Sequence, residues 1–145
     1  MGFFDKVKSF VSGNAAKVTL EVGQGVAFPG ETVAVRVTGI AQSDFESGGV
    51  YIDLLAREKV ELTTQQGAQV NDTETTYSQE IMISGPFKLA TGETRTFEGT
   101  VRLPPDVQPT YRGKGAKHDW EIRARFEARG NDPDSSFTTL RVGSR

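Results

Sequence analysis

Apolar and polar residues alternate along most of this chain. Val18, Leu20 and Val22 alternate with Lys17, Thr19 and Glu21, and Val33, Val35 and Val37 alternate with Thr32, Ala34, Arg36 and Thr38. Side chains of a strand point to opposite faces in turn, so this period of two predicts strands with one buried face. Ile52, Leu54, Ala56, Val60 and Leu62 keep one parity through a longer run that only Glu58 interrupts, which predicts a long strand with a bend or bulge. Tyr77, Ile81 and Ile83 form the next set, then Phe97, Val101 and Leu103. The cleanest alternation sets Trp120, Ile122, Ala124, Phe126 and Ala128 against Asp119, Glu121, Arg123, Arg125, Glu127 and Arg129, and Leu140 with Val142 closes the series. On this parity Trp120 anchors the core, and His118 is assigned to the outside of that face, next to Asp119.

Turn residues separate the runs: Pro29-Gly30, Ser47-Gly48-Gly49, Gly85-Pro86, Thr91-Gly92, Pro104-Pro105, Gly113-Lys114-Gly115 and Asn131-Asp132-Pro133-Asp134. Glycine supplies positive φ and proline withholds a donor, so neither continues a ladder. About seven short strands with no amphipathic helix between them predict an all-β, immunoglobulin-type antiparallel sandwich over residues 14–145. No disulfide can tie its sheets, because the chain has no cysteine.

The first thirteen residues follow another period. Phe3, Phe4, Val7, Phe10 and Val11 fall at helical spacing, with Lys6 and Lys8 elsewhere and Gly13 placed to end the segment, so a short amphipathic helix is expected over 1–13. Two readings stand side by side: the helix covers an open edge of its own domain, or its phenylalanines contact a partner or a membrane interface. The segment has no apolar run long enough for a signal peptide or a span, since Lys6 and Lys8 break it. A cytoplasmic protein, at most peripheral to a membrane, is therefore expected.

Two segments carry a family resemblance. Phe28-Pro29-Gly30-Glu31-Thr32-Val33 before an alternating strand looks like the opening of an arrestin-type domain. Thr91-Gly92-Glu93, the strand from Phe97 to Leu103, the crossover Leu103-Pro104 to Pro109-Thr110-Tyr111-Arg112-Gly113 and the strand begun by Trp120 look like its second half. The chain thus resembles the arrestin-like superfamily. Its beginning, Gly2-Phe3-Phe4 through Ala15-Ala16-Lys17-Val18, is most similar to the bacterial sporulation-control family within it. The resemblance implies a non-catalytic scaffold that binds proteins, sometimes at membranes, and regulates developmental or stress physiology. Longer members carry a second sandwich or a C-terminal extension; here the seventh predicted strand is followed by Arg145, so a single lobe is expected.

Composition narrows the chemistry. A formal net charge of -2, with both signs interspersed, supplies no field to attract nucleic acid. One histidine, His118, and no cysteine leave no thiolate site, no histidine-rich metal site and no nucleophile with a placed base. No enzyme, no cofactor and no metal are expected. The loop from Arg112 to His118 gathers Arg112, Lys114 and Lys117 around two glycines, which suits either an anion such as phosphate or a solvated hairpin turn. Asp132 and Asp134, with Asp44 and Glu46, are read as turn chemistry in preference to calcium ligands. The strand from Glu74 to Ile83, rich in Thr, Ser and Gln, is a predicted sheet edge, open to a protein partner or to a second copy in a homodimer. The alternative to this binding module is a peripheral lipid-associated one that uses the phenylalanine segment and the basic loop together.

Overall fold

A computed structural model describes residues 7–12 and 15–144. Twelve strands run through them: β1 (Val7–Ser12), β2 (Ala16–Val22), β3 (Val26–Ala27), β4 (Thr32–Ala41), β5 (Phe45–Ser47), β6 (Gly49–Thr63), β7 (Gln69–Ser84), β8 (Phe87–Leu89), β9 (Thr94–Arg102), β10 (Tyr111–Arg112), β11 (Ala116–Glu127) and β12 (Thr138–Val142). All seven predicted strands are present, as β2, β4, β6, β7, β9, β11 and β12. The expected number was too low because β1, β3, β5, β8 and β10 are mostly too short to show a period.

β1 corrects the expected N-terminal helix across Val7 to Ser12; Phe3 and Phe4 lie outside the described residues. Val7, Ser9 and Val11 stand opposite Val22, Leu20 and Val18 of β2 in antiparallel register. Valine and serine are indifferent helix formers, and the same six-residue stretch that reads at period 3.6 also reads at period two. Pairing satisfies the outer edge of β2, which a helix would leave bare.

The strands form two facing sheets and a small pair. One sheet has the order β1-β2-β4-β9; the other runs β3-β12-β11-β6-β7, with β10 also on β11; β5 pairs β8. Pairing is antiparallel except between β12 and β3. Val18, Leu20, Val35, Val37, Phe97 and Val101 of the first sheet meet Ile52, Leu54, Trp120, Ile122, Phe126 and Leu140 of the second in one core. Phe126 is the hub of its aromatic part: its ring lies 4.9 Å from that of Phe87, 5.8 Å from Phe97 and 6.0 Å from Phe45. It presses on bare backbone opposite, since a Cβ on Gly39 would stand 2.4 Å from the ring. Gly39 is therefore glycine for space. Gly30 is glycine for conformation: it has φ 85° after Pro29, and Glu31 N–H donates to the Phe28 carbonyl at 3.0 Å, which is the geometry of a type II turn launching β4.

The predicted irregularity of the long strand lies on its partner. Register shifts opposite Val50/Tyr51 and Ala56/Arg57 leave Ile83 and Thr76 as extra residues in β7. Ile83 packs against Gly99 of β9, where a Cβ would come within 2.8 Å of it. The end of β7 is thus keyed into the facing sheet.

Candidate partner-binding edge and crossover cleft

β7 is the end strand of its sheet, as its composition predicts. Fourteen of its sixteen residues pair with β6 on one side, all but the bulged Thr76 and Ile83, and most of the strand is exposed. It contains no proline, glycine, lysine or arginine, the residues that commonly blunt an edge. The hairpin also continues past the last β11 partner, Val60, where Leu62 stands opposite Val70 with both side chains about half exposed.

Beside this edge runs the proline crossover between β9 and β10. Prolines at 104, 105 and 109 hold it extended and deny it ladder bonds, so side chains from the sheet must fasten it. Trp120 Nε1 donates to the Gln108 carbonyl at 2.7 Å. His118 Nδ1 lies 2.9 Å from the Pro109 carbonyl, which can only accept, so Nδ1–H is the donor. Nε2 is hydrogen-bonded to the Thr76 hydroxyl at 2.6 Å, and Thr76 is the bulged residue of β7. His118 is fully buried. This corrects its assignment to the outside: its number has the parity of Trp120, and its ring is stacked on Tyr111 and set edge-on to Trp120.

A cleft of about 570 Å³ opens between β7 and the crossover, lined by Glu74 to Tyr77 on one side and Pro104, Asp106, Val107 and Gln108 on the other, over Trp120. Tyr77 packs on Trp120 with ring centroids 5.4 Å apart, and burial raises its phenol pKa. Glu74 lies directly opposite Glu58 across the β6–β7 ladder, and Glu58 in turn lies opposite His118. Tyr111 O–H donates to Glu58, a bond that with burial and the neighbouring charge raises the tyrosine pKa. Among the described residues, Glu74 and Asp106 have no ion pair or side-chain hydrogen bond. Glu58 and Glu74 are thus cross-strand neighbours of like charge, with the Glu58 carboxylate bonded to Tyr111 and Glu74 left without an ion pair among the described residues.

The predicted basic loop is a hairpin turn between β10 and β11, closed by Gly113 N–H to the Ala116 carbonyl at 2.7 Å. Arg112 is paired with Asp119 at 2.8 Å, Lys114 is exposed in the turn, and Lys117 stands opposite Lys59. Arg112 also stands directly opposite Lys117, so Arg112, Lys117 and Lys59 form one cross-strand row beside the turn, while β1, which holds Val7, Phe10 and Val11, belongs to the other sheet. The acidic turn behaves as read: Asp132 accepts from Ala128 N–H at 2.9 Å, and Asp134 accepts from Ser136 N–H at 2.7 Å. Asp44 accepts from the Thr91 N–H and hydroxyl, which lowers its pKa.

Sequence reasoning missed one cluster on the outer face of the larger sheet. Arg125 is almost buried and bonded to Asp53, Asp132 and Glu80, while Arg123 also donates to Asp53. Burial opposes the Arg125 charge, but the bonds and charges of its three carboxylates outweigh it and raise its pKa. The alternation marked both arginines as outward; Asp53, opposite Arg123 in register, is what covers them. Both arginines of the cluster are already paired with its carboxylates.

No family model matches this chain, and no curated protein matches it. Among the described residues, no helix is long and apolar enough to cross a membrane. The fold has a solved likeness: the crystal structure of Spo0M, sporulation control protein, from Bacillus subtilis aligns with a TM-score of 0.66 and 23% identity, covering 91% of this chain and 51% of that one, so this chain spans about half the length of the protein whose fold it is similar to.

Proposed function

We propose that this chain is a non-catalytic, arrestin-like binding domain of a regulatory protein of the sporulation-control type, and that it engages a protein partner by strand addition to β7. The observation that carries the reading is the sixteen-residue edge itself, unpaired on one side among the described residues and without proline, glycine or lysine to protect it. An added strand gains main-chain hydrogen bonds for affinity, while alternate side chains supply specificity. The likeness to Spo0M supports the regulatory setting. The two bulges support the edge as a site, because they pin the register of β7 through Thr76 and Ile83 while leaving its outer side free.

Hydrogen–deuterium exchange of the purified chain, alone and with the partner recovered by affinity capture, tests the reading. Slowed exchange concentrated in Gln69 to Ser84 is expected. Protection confined to the opposite edge, at β1, or to the Arg112 to Lys117 turn would overturn it.

A further inference from the structure

The edge and the cleft together specify the chemistry of the added strand. Resting on the proposal that β7 is the docking edge, we infer that its occupant is an extended basic segment of another protein, with a Lys or Arg side chain seated in the crossover cleft. β7 carries Asp72, Glu74 and Glu80 and no cation. Glu80 is occupied by Arg125, whereas Asp72 and Glu74 have no ion pair among the described residues. A strand laid along β7 places every second side chain on the inner side of the sheet. The residue opposite Glu74 therefore enters the row of Glu74 and Glu58 and meets the cleft that Asp106 lines from the crossover. A cation there meets Glu74 and Asp106, which have no ion pair among the described residues, and the face of Tyr77 beside it offers a cation–π contact. Its aliphatic stem covers Val107 and the tyrosine ring while the charge meets the carboxylates.

A second copy of the chain fits this edge poorly. Antiparallel pairing of β7 with itself brings acidic strand against acidic strand, and like charges placed opposite each other are repelled. The inner-face cleft would receive no cation from such a partner, since β7 has none to give.

The test uses two capped heptapeptides, one alternating Lys with Val and the other alternating Glu with Val, titrated into the purified chain. Trp120, the one tryptophan, reports binding by fluorescence from the floor of the cleft, and hydrogen exchange locates it. The lysine peptide is expected to bind with protection over Gln69 to Ser84, and the glutamate peptide is not. Joint replacement Glu74→Gln and Asp106→Asn should weaken the lysine peptide roughly tenfold, and salt should weaken it further. If both peptides protect β7 equally, the basic specificity falls while the docking edge stands. If the lysine peptide binds elsewhere or not at all, or if concentrated protein without peptide protects its own β7, the inference is overturned.

Discussion

Trp120→Phe separates the two jobs assigned to the indole, which fills the core end of the cleft and holds the crossover by one hydrogen bond. Trp120 is fully buried, and its Nε1 donates to Gln108 at 2.7 Å. Phenylalanine keeps the first ring and loses the fused one. Burial of that lost hydrocarbon is worth roughly 1.5 kcal/mol, and the hydrogen bond about 1 kcal/mol. Gln108 is exposed, so water can reach its freed carbonyl and the penalty for leaving it unpaired stays small. The expected loss is therefore about 2 to 3 kcal/mol, less than the 3 to 5 kcal/mol or so expected for Trp120→Ala. Urea denaturation gives the total, and exchange at Val107 and Gln108 gives the local part. A loss near zero, or a destabilised variant whose crossover exchanges no faster than before, would refute the role given to this bond.

Gly39→Ala should destabilise by about 1 to 3 kcal/mol, because its Cβ would meet the Phe126 ring at 2.4 Å in a packed core. Adding Phe126→Leu should relieve the clash, so the double variant is expected to lose less than the sum of the two single losses in thermal unfolding. Additive losses would show that the ring simply turns aside. A pH titration followed by carboxyl NMR should place Asp44 below the ordinary 3.8 and Glu93 below the ordinary 4.5, because Thr91 bonds hold the first charged and Ala90 with Arg95 holds the second. Groups with lowered pKa stabilise the fold above their ordinary values and lose that contribution as pH falls through the lowered ones. The loop joining β8 to β9 should accordingly loosen only in strong acid, and midpoints at or above the ordinary values would contradict these contacts.

Where one face of a strand is buried, the chain announces it. Val18 to Val22, Val33 to Val37 and Trp120 to Phe126 are legible because each wrong-face placement would bury a charge or expose a valine. The short strands are not legible, because β3 and β10 have two residues each and take their form from neighbours in space. β1 was misread for a related reason. Six residues are fewer than two helical turns, so two periods fit them, and only the bare edge of β2 decides. The arginines at 123 and 125 follow the alternation faithfully and are nonetheless covered, because Asp53 and Glu80 arrive from strands distant in sequence.

The exception in the pattern of β6 carries more than the pattern does. Glu58 breaks an inward apolar series that otherwise runs from Ile52 to Leu62, and a single polar breach of this kind reads naturally as a bend. The backbone of β6 is continuous there, and the bulge lies across the ladder at Thr76. Glu58 faces inward where the sandwich ends, between His118 and Glu74 in one cross-strand row, with Tyr111 donating to it. An apolar residue at 58 would have continued the inward apolar series and avoided two glutamates in register across the ladder. A glutamate at this position, together with an acidic Asp106 on the facing crossover, is the local conflict expected where a surface is shaped for something other than its own stability. Glu74 and Asp106 have no ion pair among the described residues, and a basic strand laid on β7 would bring them a cation.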